Sequence, residues 1–229
     1  MSDKEIYVKV THEGPYLVYG NPPLTMQTIV ADDNGVCINY SDDKTFEIKS
    51  VPFALCRCGK SKDAPFCDGS HEHSVDLTET AEFKPIEDDA VIYKGPHLTL
   101  KDNEKYCAFA RFCDADGSIW NLIYDNDEEA AKDAIRETKL CPSGRLMIFD
   151  NEGNSLEEKL EKTISIIEDG GLKLSGPLWL KGGIRVESAD GKSYEVRNRQ
   201  TLCRCGHSKN KPFCDCAHKK VQFKANYKE

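Results

Sequence analysis

Short runs of alternating apolar and polar residues occupy both ends of the chain. Near the N-terminus they read EIYVKV and PYLVYG, and in the last third they read KTISII, GGLKLSG and GGIRVESADGKSYEVRN. A period of two is typical of strands that bury one face. The dipeptides Asn34-Gly35 and Asp190-Gly191 favour tight hairpin turns. The pattern therefore predicts small antiparallel sheets at both ends.

The pattern changes between about residues 90 and 152. The stretch from Asp127 to Lys139 is rich in helix-forming residues, with acidic side chains in its first turn and basic ones in its last, as the helix dipole favours. Pro142 and Gly144 then predict the end of the helix, and the run RLMIF predicts a strand. Polar stretches on either side, TETAEFKPIEDDA and DNEGNSLEEKLEK, are interpreted as linkers. We expect a separate α/β unit here.

Composition narrows the class of protein. The chain has 229 residues, 39% of them hydrophobic, which suffices for one large domain or two to three small ones. Its 39 acidic residues exceed its 31 basic residues, giving a net charge of -8. This balance argues against a partner such as nucleic acid or a membrane surface. The start of the chain lacks an apolar signal core and no run is long enough to span a membrane, so we expect a cytoplasmic location.

Eleven cysteines occur in the chain, and eight potential metal ligands form an internal repeat. In a reducing compartment such spacings favour metal or cluster ligation over disulfides. Both copies have the spacing Cys-x-Cys-x8-Cys-x3-His. The first copy consists of Cys56, Cys58, Cys67 and His71, and the second of Cys203, Cys205, Cys214 and His218.

Thiolates and imidazole bind zinc, copper or the irons of an iron-sulfur cluster, so the residue types alone leave the metal open. Structural zinc sites usually have two to four residues between paired cysteines, whereas Cys56 and Cys58 are separated by one. Such a close pair can bind one iron of a binuclear cluster, with Cys67 and His71 on the other. A structural zinc-binding protein remains the alternative.

The segment CRCGKSKDAPFCDGSH, from Cys56 to His71, resembles the complete signature of the CDGSH iron-sulfur family, to which mitoNEET belongs. The resemblance implies that each set of three cysteines and one histidine holds a 2Fe-2S cluster. It also implies an α+β fold in which two small β-rich cluster-binding domains, at residues 1-85 and 160-229, flank the unit at residues 90-152.

The second segment, CRCGHSKNKPFCDCAH, has Cys216 where the family has glycine. If Asp215 caps a helix that begins immediately after it, residue 216 takes ordinary helical torsions and needs no glycine. On that interpretation Cys216 is a bystander. The alternative is that Cys216 competes with His218 as the fourth ligand of the second cluster.

Three further cysteines lie in the middle unit. Cys107, Cys113 and Cys141, in CAFARFC and CPSGRLMIF, resemble a divergent mono-cluster ferredoxin-like domain. Bacterial ferredoxins have a further cysteine in the first run, where this chain has Ala110. Three thiolates could hold a 3Fe-4S cluster, or a 4Fe-4S cluster with a non-cysteine fourth ligand. The alternative is three buried cysteines that hold no cluster.

These observations predict a one-electron carrier without catalytic activity. Its partners would be redox proteins, or apo iron-sulfur proteins if the chain is instead a cluster carrier or a redox and pH sensor. A histidine ligand makes each cluster sensitive to acid and raises its potential above that of an all-cysteine cluster. With both motifs in one chain, the two copies could pack about a pseudo-twofold axis, and we expect a monomer.

Overall fold

The computed structural model describes residues 5–71 and 75–227. Over this range the strands are β1 (Tyr7–Val10), β2 (Tyr16–Tyr19), β3 (Leu24–Ala31), β4 (Cys37–Thr45), β5 (Phe53–Leu55), β6 (Val91–Lys94), β7 (Leu98–Asp102), β8 (Leu146–Asp150), β9 (Ile164–Asp169), β10 (Leu174–Lys181), β11 (Arg185–Glu187) and β12 (Arg199–Leu202). The α-helices are α1 (Ile119–Leu122), α2 (Glu128–Leu140) and α3 (Ala217–Lys220), and short 3-10 turns span Ile86–Asp89, Glu104–Tyr106 and Phe112–Asp114. None of the helices in the described ranges is long and apolar enough to cross a membrane.

The two outer segments exchange strands. One sheet has the order β11-β1-β2-β5, and the other has the order β12-β10-β9-β3-β4. Strand β1 from the N-terminal segment pairs in parallel with β11, and β9 from the C-terminal segment pairs in parallel with β3. The two exchanges are equivalent under the internal repeat. The predicted pseudo-twofold arrangement is therefore present, and it is built from backbone hydrogen bonds.

A single hydrophobic core lies between the two exchanged sheets. Both segments contribute side chains to it, and most of these have almost no exposed surface. Each large aliphatic side chain buried in this way stabilises the fold by about 1.5–3 kcal/mol. The fully buried members include Val10, Val18 and Leu55 from the N-terminal segment and Ile164, Leu178 and Leu202 from the C-terminal segment. The outer segments thus share one core, although their boundaries along the chain remain sequence predictions.

The acidic stretch at residues 78–90 is fixed in place rather than being a loose linker. The backbone amides of Thr80 and Ala81 both donate to the carbonyl of Lys211, at 2.8 and 2.9 Å. The Phe83 ring stacks on Tyr194 with 4.3 Å between ring centroids. This stretch therefore holds the N-terminal segment against the second cysteine motif.

The middle segment forms a separate three-stranded antiparallel sheet with the order β6-β7-β8. The predicted helix is present as α2, and the Asp127 carboxylate caps it by accepting from the amide of Glu129 at 3.2 Å. The predicted strand after Pro142 is present as β8. Helices α1 and α2 pack over this sheet on a small core of their own, which includes Leu100, Ile119, Ala134 and Ile148.

Arg199 of β12 anchors the middle segment to the shared core. Its buried guanidinium donates to the carbonyls of Thr138 and Cys141 at the end of α2, the latter at 2.6 Å. Glu157 pairs with the same guanidinium. A cation at the C-terminal end of a helix is favoured by the helix dipole. The end of α2, and with it Cys141, is thereby placed against the C-terminal segment.

Replacing buried Glu137 of α2 with glutamine is expected to stabilise the protein more at high pH than at low pH. Burial raises the pKa of Glu137 to about 8 from its ordinary 4.5. A raised pKa means that the stability present when the group is neutral is lost as the pH rises through the folded-state value. Glu137→Gln removes this loss, up to about 5 kcal/mol at high pH.

Thermal unfolding followed by circular dichroism at about pH 6 and about pH 8.5 measures this difference. The unaltered chain should lose stability between the two values, and Glu137→Gln should lose much less. Glu128→Gln, on an exposed position of the same helix, is the control and should behave as the unaltered chain. Equal pH dependence in all three proteins would contradict the prediction.

Candidate metal centres

Two equivalent loops follow β5 and β12 and carry the repeated ligands. In each loop the first cysteine amide donates to the carbonyl of a proline, from Cys56 to Pro65 and from Cys203 to Pro212, both at 2.8 Å. The loops also have matching bridges between the strand and the residue after the proline. The identical bonding follows from the identical spacing, so both loops present their ligands in the same way.

Within each loop the four predicted ligands meet as two pairs. In the first loop Cys56 Sγ and Cys58 Sγ are 3.6 Å apart, and Cys67 Sγ lies 3.4 Å from His71 Nδ1. The second loop has 3.8 Å between Cys203 Sγ and Cys205 Sγ. Its other pair, Cys214 Sγ and His218 Nδ1, is 3.5 Å apart. All eight predicted ligands are thus paired as the sequence spacing suggests.

These separations fit two metal ions per loop. A tetrahedral metal with metal–sulfur bonds of about 2.3 Å places two sulfur ligands about 3.8 Å apart. Over residues 5–71 and 75–227, no three His, Cys, Asp or Glu side chains come together as they would around one ion. The residues therefore fit a binuclear cluster, with two thiolates on one metal and a thiolate and an imidazole on the other.

An aspartate and a serine shape each loop. Asp68 accepts from the amides of Lys62 and Ser70, at 2.8 and 3.0 Å. These backbone hydrogen bonds lower the pKa of Asp68. Ser61 donates to the carbonyl of Phe66 at 2.7 Å. In the second loop Asp215 and Ser208 make the corresponding hydrogen bonds. The aspartate and the serine therefore hold the turn of each loop and leave the ligand atoms available to metal.

Sequence analysis missed a buried arginine between the first two cysteines of each loop. Arg57 donates to the carbonyl of Thr11 at 3.0 Å and to that of Leu77. Arg204 donates to the carbonyl of Gly176 at 3.0 Å and pairs with Glu168 at 2.6 Å. Both guanidinium groups are almost fully buried. The repeated CRCG sequence was the available signal, because arginine fills the same place in both copies.

The two loops touch each other across the pseudo-twofold axis. A Cβ added to Gly59 would lie 2.8 Å from the carbonyl oxygen of Cys205, and one added to Gly206 would lie 2.9 Å from that of Cys58. Both glycines also have a left-handed backbone, with φ of 72° and 81°. Only glycine fits both the close carbonyl oxygen and the left-handed backbone without a shift of the neighbouring atoms. The backbones of ligand residues from the two loops therefore lie in direct contact.

The two loops differ in exposure. In the first loop Cys67 and His71 are partly exposed, and Cys67 borders an open cavity of about 430 Å³ lined also by Lys49, Phe53 and Phe66. In the second loop Cys214 and His218 are only 3% and 7% exposed. Burial lowers the pKa of His218 to about 4, which keeps its imidazole neutral and able to ligate.

One thiol of each close cysteine pair is readily ionised. A hydrogen bond from Cys58 lowers the pKa of Cys56 to about 5. In the second loop the hydrogen bond from Cys205 lowers the pKa of Cys203 to about 7. A lowered pKa favours the thiolate, which is the form that binds metal. Each loop therefore offers one thiolate near neutral pH before any metal is bound.

The three cysteines of the middle segment are partly buried around Arg145. Arg145 lies 3.3 Å from the carboxylate of Asp102 and is 6% exposed. Burial raises the pKa of Cys107, and that of Cys113 to about 12. The attraction of Arg145 acts against this rise at both thiols. Cys107, Cys113 and Cys141 all interact electrostatically with this guanidinium, and Cys113 and Cys141 also pack against the core of the middle segment.

The expected backbone at Cys216 was wrong. Its φ is 63° and its ψ is 10°, in the left-handed region, because α3 begins at Ala217 and residue 216 precedes the helix. Asp215 does cap this turn, by accepting from the amide of Ala217 at 3.0 Å. The equivalent residue of the first loop, Gly69, has φ of 88°. Glycine is therefore the residue that the backbone favours at this position.

Comparison with known proteins agrees with this architecture. Residues 13–72 and 175–219 match the family described as iron-binding zinc finger CDGSH type. The chain therefore carries two segments of CDGSH type. Between its two CDGSH segments, residues 93–151 match the divergent 4Fe-4S mono-cluster family. No curated protein and no solved structure matched the chain significantly.

The two family matches support an iron-sulfur protein, with two iron-binding segments of CDGSH type and one segment of mono-cluster type. The CDGSH matches contain all eight paired ligands, and the mono-cluster match contains Cys107, Cys113 and Cys141. Its fold is α+β in the sense predicted, with CDGSH segments on both sides of a middle unit. The ferredoxin likeness of that unit stays a prediction.

Acid is expected to bleach the first CDGSH site several times faster than the second. Protons compete with metal for imidazole, and burial protects His218 but leaves His71 partly exposed. The variants Cys214→Ser and Cys67→Ser retain the first and the second site, respectively. Loss of visible absorbance at about pH 5.5 measures each rate. Equal rates, or faster loss from the second site, would contradict the prediction.

Proposed function

We propose that this CDGSH protein transfers electrons one at a time between two 2Fe-2S clusters, each held by three cysteines and one histidine. The observation that carries the proposal is the reciprocal contact of the loops, in which Gly59 meets Cys205 and Gly206 meets Cys58. Electron transfer requires cofactors that are close and rigidly held. The shared core and the exchanged strands supply that rigidity.

The paired geometry favours the binuclear cluster over structural zinc. A single zinc ion collects its four ligands around one centre, whereas each CDGSH loop separates them into two pairs. When bound, a 2Fe-2S cluster supplies a one-electron redox couple. The residues of the chain position that couple, and the histidine links its potential to pH. A zinc protein would be colourless and would have no such couple.

The difference in exposure suggests a direction for electron flow. The first site lies beside an open cavity, where a redox partner could approach Cys67 and His71. The second site contacts the first at Gly206 and contacts the middle segment through the packing of Phe213 on Tyr106. In our proposal the first site exchanges electrons with a partner protein and the second passes them inward. The chain would act as a carrier, without a substrate of its own.

The middle segment would hold the last cluster of this path. The matched family suggests a 4Fe-4S cluster, and Cys107, Cys113 and Cys141 supply three thiolates for it. Tyr106, next to Cys107, packs its ring against Phe213 at a centroid distance of 5.3 Å. Phe213 in turn precedes the ligand Cys214. The cluster proposed for the middle segment would therefore lie next to the second CDGSH site.

We propose that the chain works as a monomer. The exchanged strands β1 with β11 and β3 with β9 join two CDGSH segments of the same chain. A second copy is therefore not needed to complete either sheet. Sedimentation of the iron-loaded protein tests this point, with a mass near 25.7 kDa expected.

A cluster carrier is the second candidate, and the exposure of the first site favours it. A partly exposed histidine ligand can release its metal to an acceptor more easily than a buried one. The two functions differ in what leaves the protein. Incubating the iron-loaded protein with an apo-ferredoxin, followed by separation and iron analysis, distinguishes them. Retention of iron through repeated reduction and oxidation supports the electron carrier, and rapid iron transfer to the apo-ferredoxin supports the cluster carrier.

Replacing either ligand histidine with cysteine is expected to lower the potential of that site alone, by about 100–300 mV. A thiolate adds negative charge to the cluster and stabilises its oxidised form, and it removes the imidazole proton from the redox reaction. Potentiometric titration of His71→Cys and His218→Cys measures the shift. The slope of potential against pH should flatten at the altered site.

His207→Ala is a suitable control for this titration. His207 follows the ligand Cys205 and hydrogen-bonds to its carbonyl at 2.7 Å, but its ring is exposed and outside both ligand pairs. Its replacement should leave both potentials nearly unchanged. Unaltered potentials in the two ligand variants would show that neither histidine holds a redox-active iron.

A further inference from the structure

Cys216 occupies a backbone position that disfavours it. Its left-handed torsions, with φ of 63°, are ones that residues other than glycine rarely adopt. The matching residue of the first loop is glycine, and the space around a Cβ at Gly69 is open within 4 Å. In the first loop, packing therefore gives no reason for a side chain at the matching position. Residues held in such torsions occur at functional sites.

The loop that carries Cys107 runs directly along the loop that carries Cys216. The carbonyl of Lys105 accepts from the side-chain amide of Asn210 at 3.3 Å, and the ring of Tyr106 packs on Phe213. Beyond Cys107, the Phe109 ring lies 3.9 Å from the ammonium of Lys219. Ala108 and Phe109 also share a small cavity with His218.

These contacts involve residues before and after Cys107 in the sequence, and residues before and after Cys216. Residues on each side of Cys107 touch residues on each side of Cys216, so the two thiols belong to the same interface. Electrostatics agrees with this placement. Cys107 interacts electrostatically with both Cys141 and Cys216.

Arg145 is a shared neighbour of all four thiols. It interacts with Cys107, Cys113 and Cys141. It also interacts electrostatically with Cys216, whose other charged neighbours are Asp215, Lys219 and Lys220. A cluster held by four thiolates concentrates negative charge, and a buried guanidinium beside it offsets part of that charge. The surroundings of Cys216 therefore match those of the three middle cysteines.

The middle segment itself contains only three cysteines, so it has no fourth thiolate for a cubane cluster. Bacterial ferredoxins supply a cysteine within the first run, but this chain has the buried Ala110 there. Cys37, from the N-terminal segment, lies in the same apolar cluster as Ala110. Its sulfur accepts a hydrogen bond from Arg111 at 3.1 Å. Cys37 is thus bonded to Arg111 rather than placed beside Arg145. It also lies in a different apolar cluster from Cys113 and Cys141.

We propose that Cys216 is the fourth ligand of a 4Fe-4S cluster whose other ligands are Cys107, Cys113 and Cys141. The cluster would be shared between the mono-cluster segment and the second CDGSH loop. In a cubane each thiolate binds its own iron. Four cysteines spread around a common volume therefore suit a cubane better than they suit a single metal ion. The inference rests on the proposed function in one respect, namely that the middle segment holds a cluster.

The proposed ligation joins two clusters through one short peptide. Cys214 would bind the second 2Fe-2S cluster, and Cys216, two residues later, would bind the cubane. Tyr106 and Phe213, which directly precede Cys107 and Cys214, pack their rings together at a centroid distance of 5.3 Å, so these two ligand segments are also neighbours. The segment Cys214-Asp215-Cys216 would thus give a covalent route between the second CDGSH site and the middle cluster.

The test is the iron content and the electron paramagnetic resonance spectrum of the full, anaerobically purified chain. With two 2Fe-2S clusters and one cubane, the unaltered chain should contain eight irons. Cys216→Gly should lose one iron per chain as Fe²⁺, and one-electron oxidation of the purified variant with ferricyanide should then give the signal of an oxidised 3Fe-4S cluster. Glycine suits the left-handed torsions, so this variant should fold at least as well as the unaltered chain. Cys37→Ala, the matched control, should keep eight irons and the cubane.

Each outcome has a distinct meaning. Seven irons and a 3Fe-4S signal in Cys216→Gly, with Cys37→Ala unchanged, support the inference. A cubane that persists in Cys216→Gly overturns it and leaves the proposed function intact. A cubane that persists while the second 2Fe-2S signal changes would assign Cys216 to that site instead. Four irons in the unaltered chain would show that the middle segment holds no cluster, and would overturn both the inference and that part of the proposed function.

Discussion

The parallel pairing of β1 with β11 and of β3 with β9 is the constraint on which the rest of the molecule depends. Because each CDGSH segment completes a sheet of the other, the two cluster loops are carried to the same axis. The contact of Gly59 with Cys205, and of Gly206 with Cys58, follows from that placement. A substitution that separates the sheets would therefore disturb both loops together.

The features that sequence could predict are local ones. Cys56, Cys58, Cys67 and His71 lie within one short loop, so their spacing fixes their pairing, and the same holds for the second copy. Helix α2 was predictable because its helix-forming residues, its acidic first turn and the Pro142 that follows it all lie within one short stretch of sequence. The sequence showed an internal repeat, but it did not show which strands are exchanged. Parallel pairing between distant segments leaves no local signal. The buried roles of Arg57 and Arg204 likewise depend on carbonyls far along the chain.

The error at Cys216 has a specific physical cause. Sequence analysis correctly identified Asp215 as a capping residue, but it placed the start of the helix one residue early. Asp215 accepts from the amide two residues ahead, and the chain turns through a left-handed residue before α3 begins. In the first loop glycine takes that turn. A cap identified from residue type alone does not fix which residue carries the unusual torsions.

The two CDGSH loops are alike in backbone and different in surroundings. If the exchanged arrangement were formed by two identical chains, any segment covering one loop would have an equivalent covering the other, and both ends would be the same. Joining the copies covalently removes that restriction. One loop can be buried by the middle segment and carry a cysteine in place of glycine, while the other stays accessible. The duplicated chain thereby gains polarity: it has an outer end and an inner end, which a symmetric assembly of identical subunits lacks.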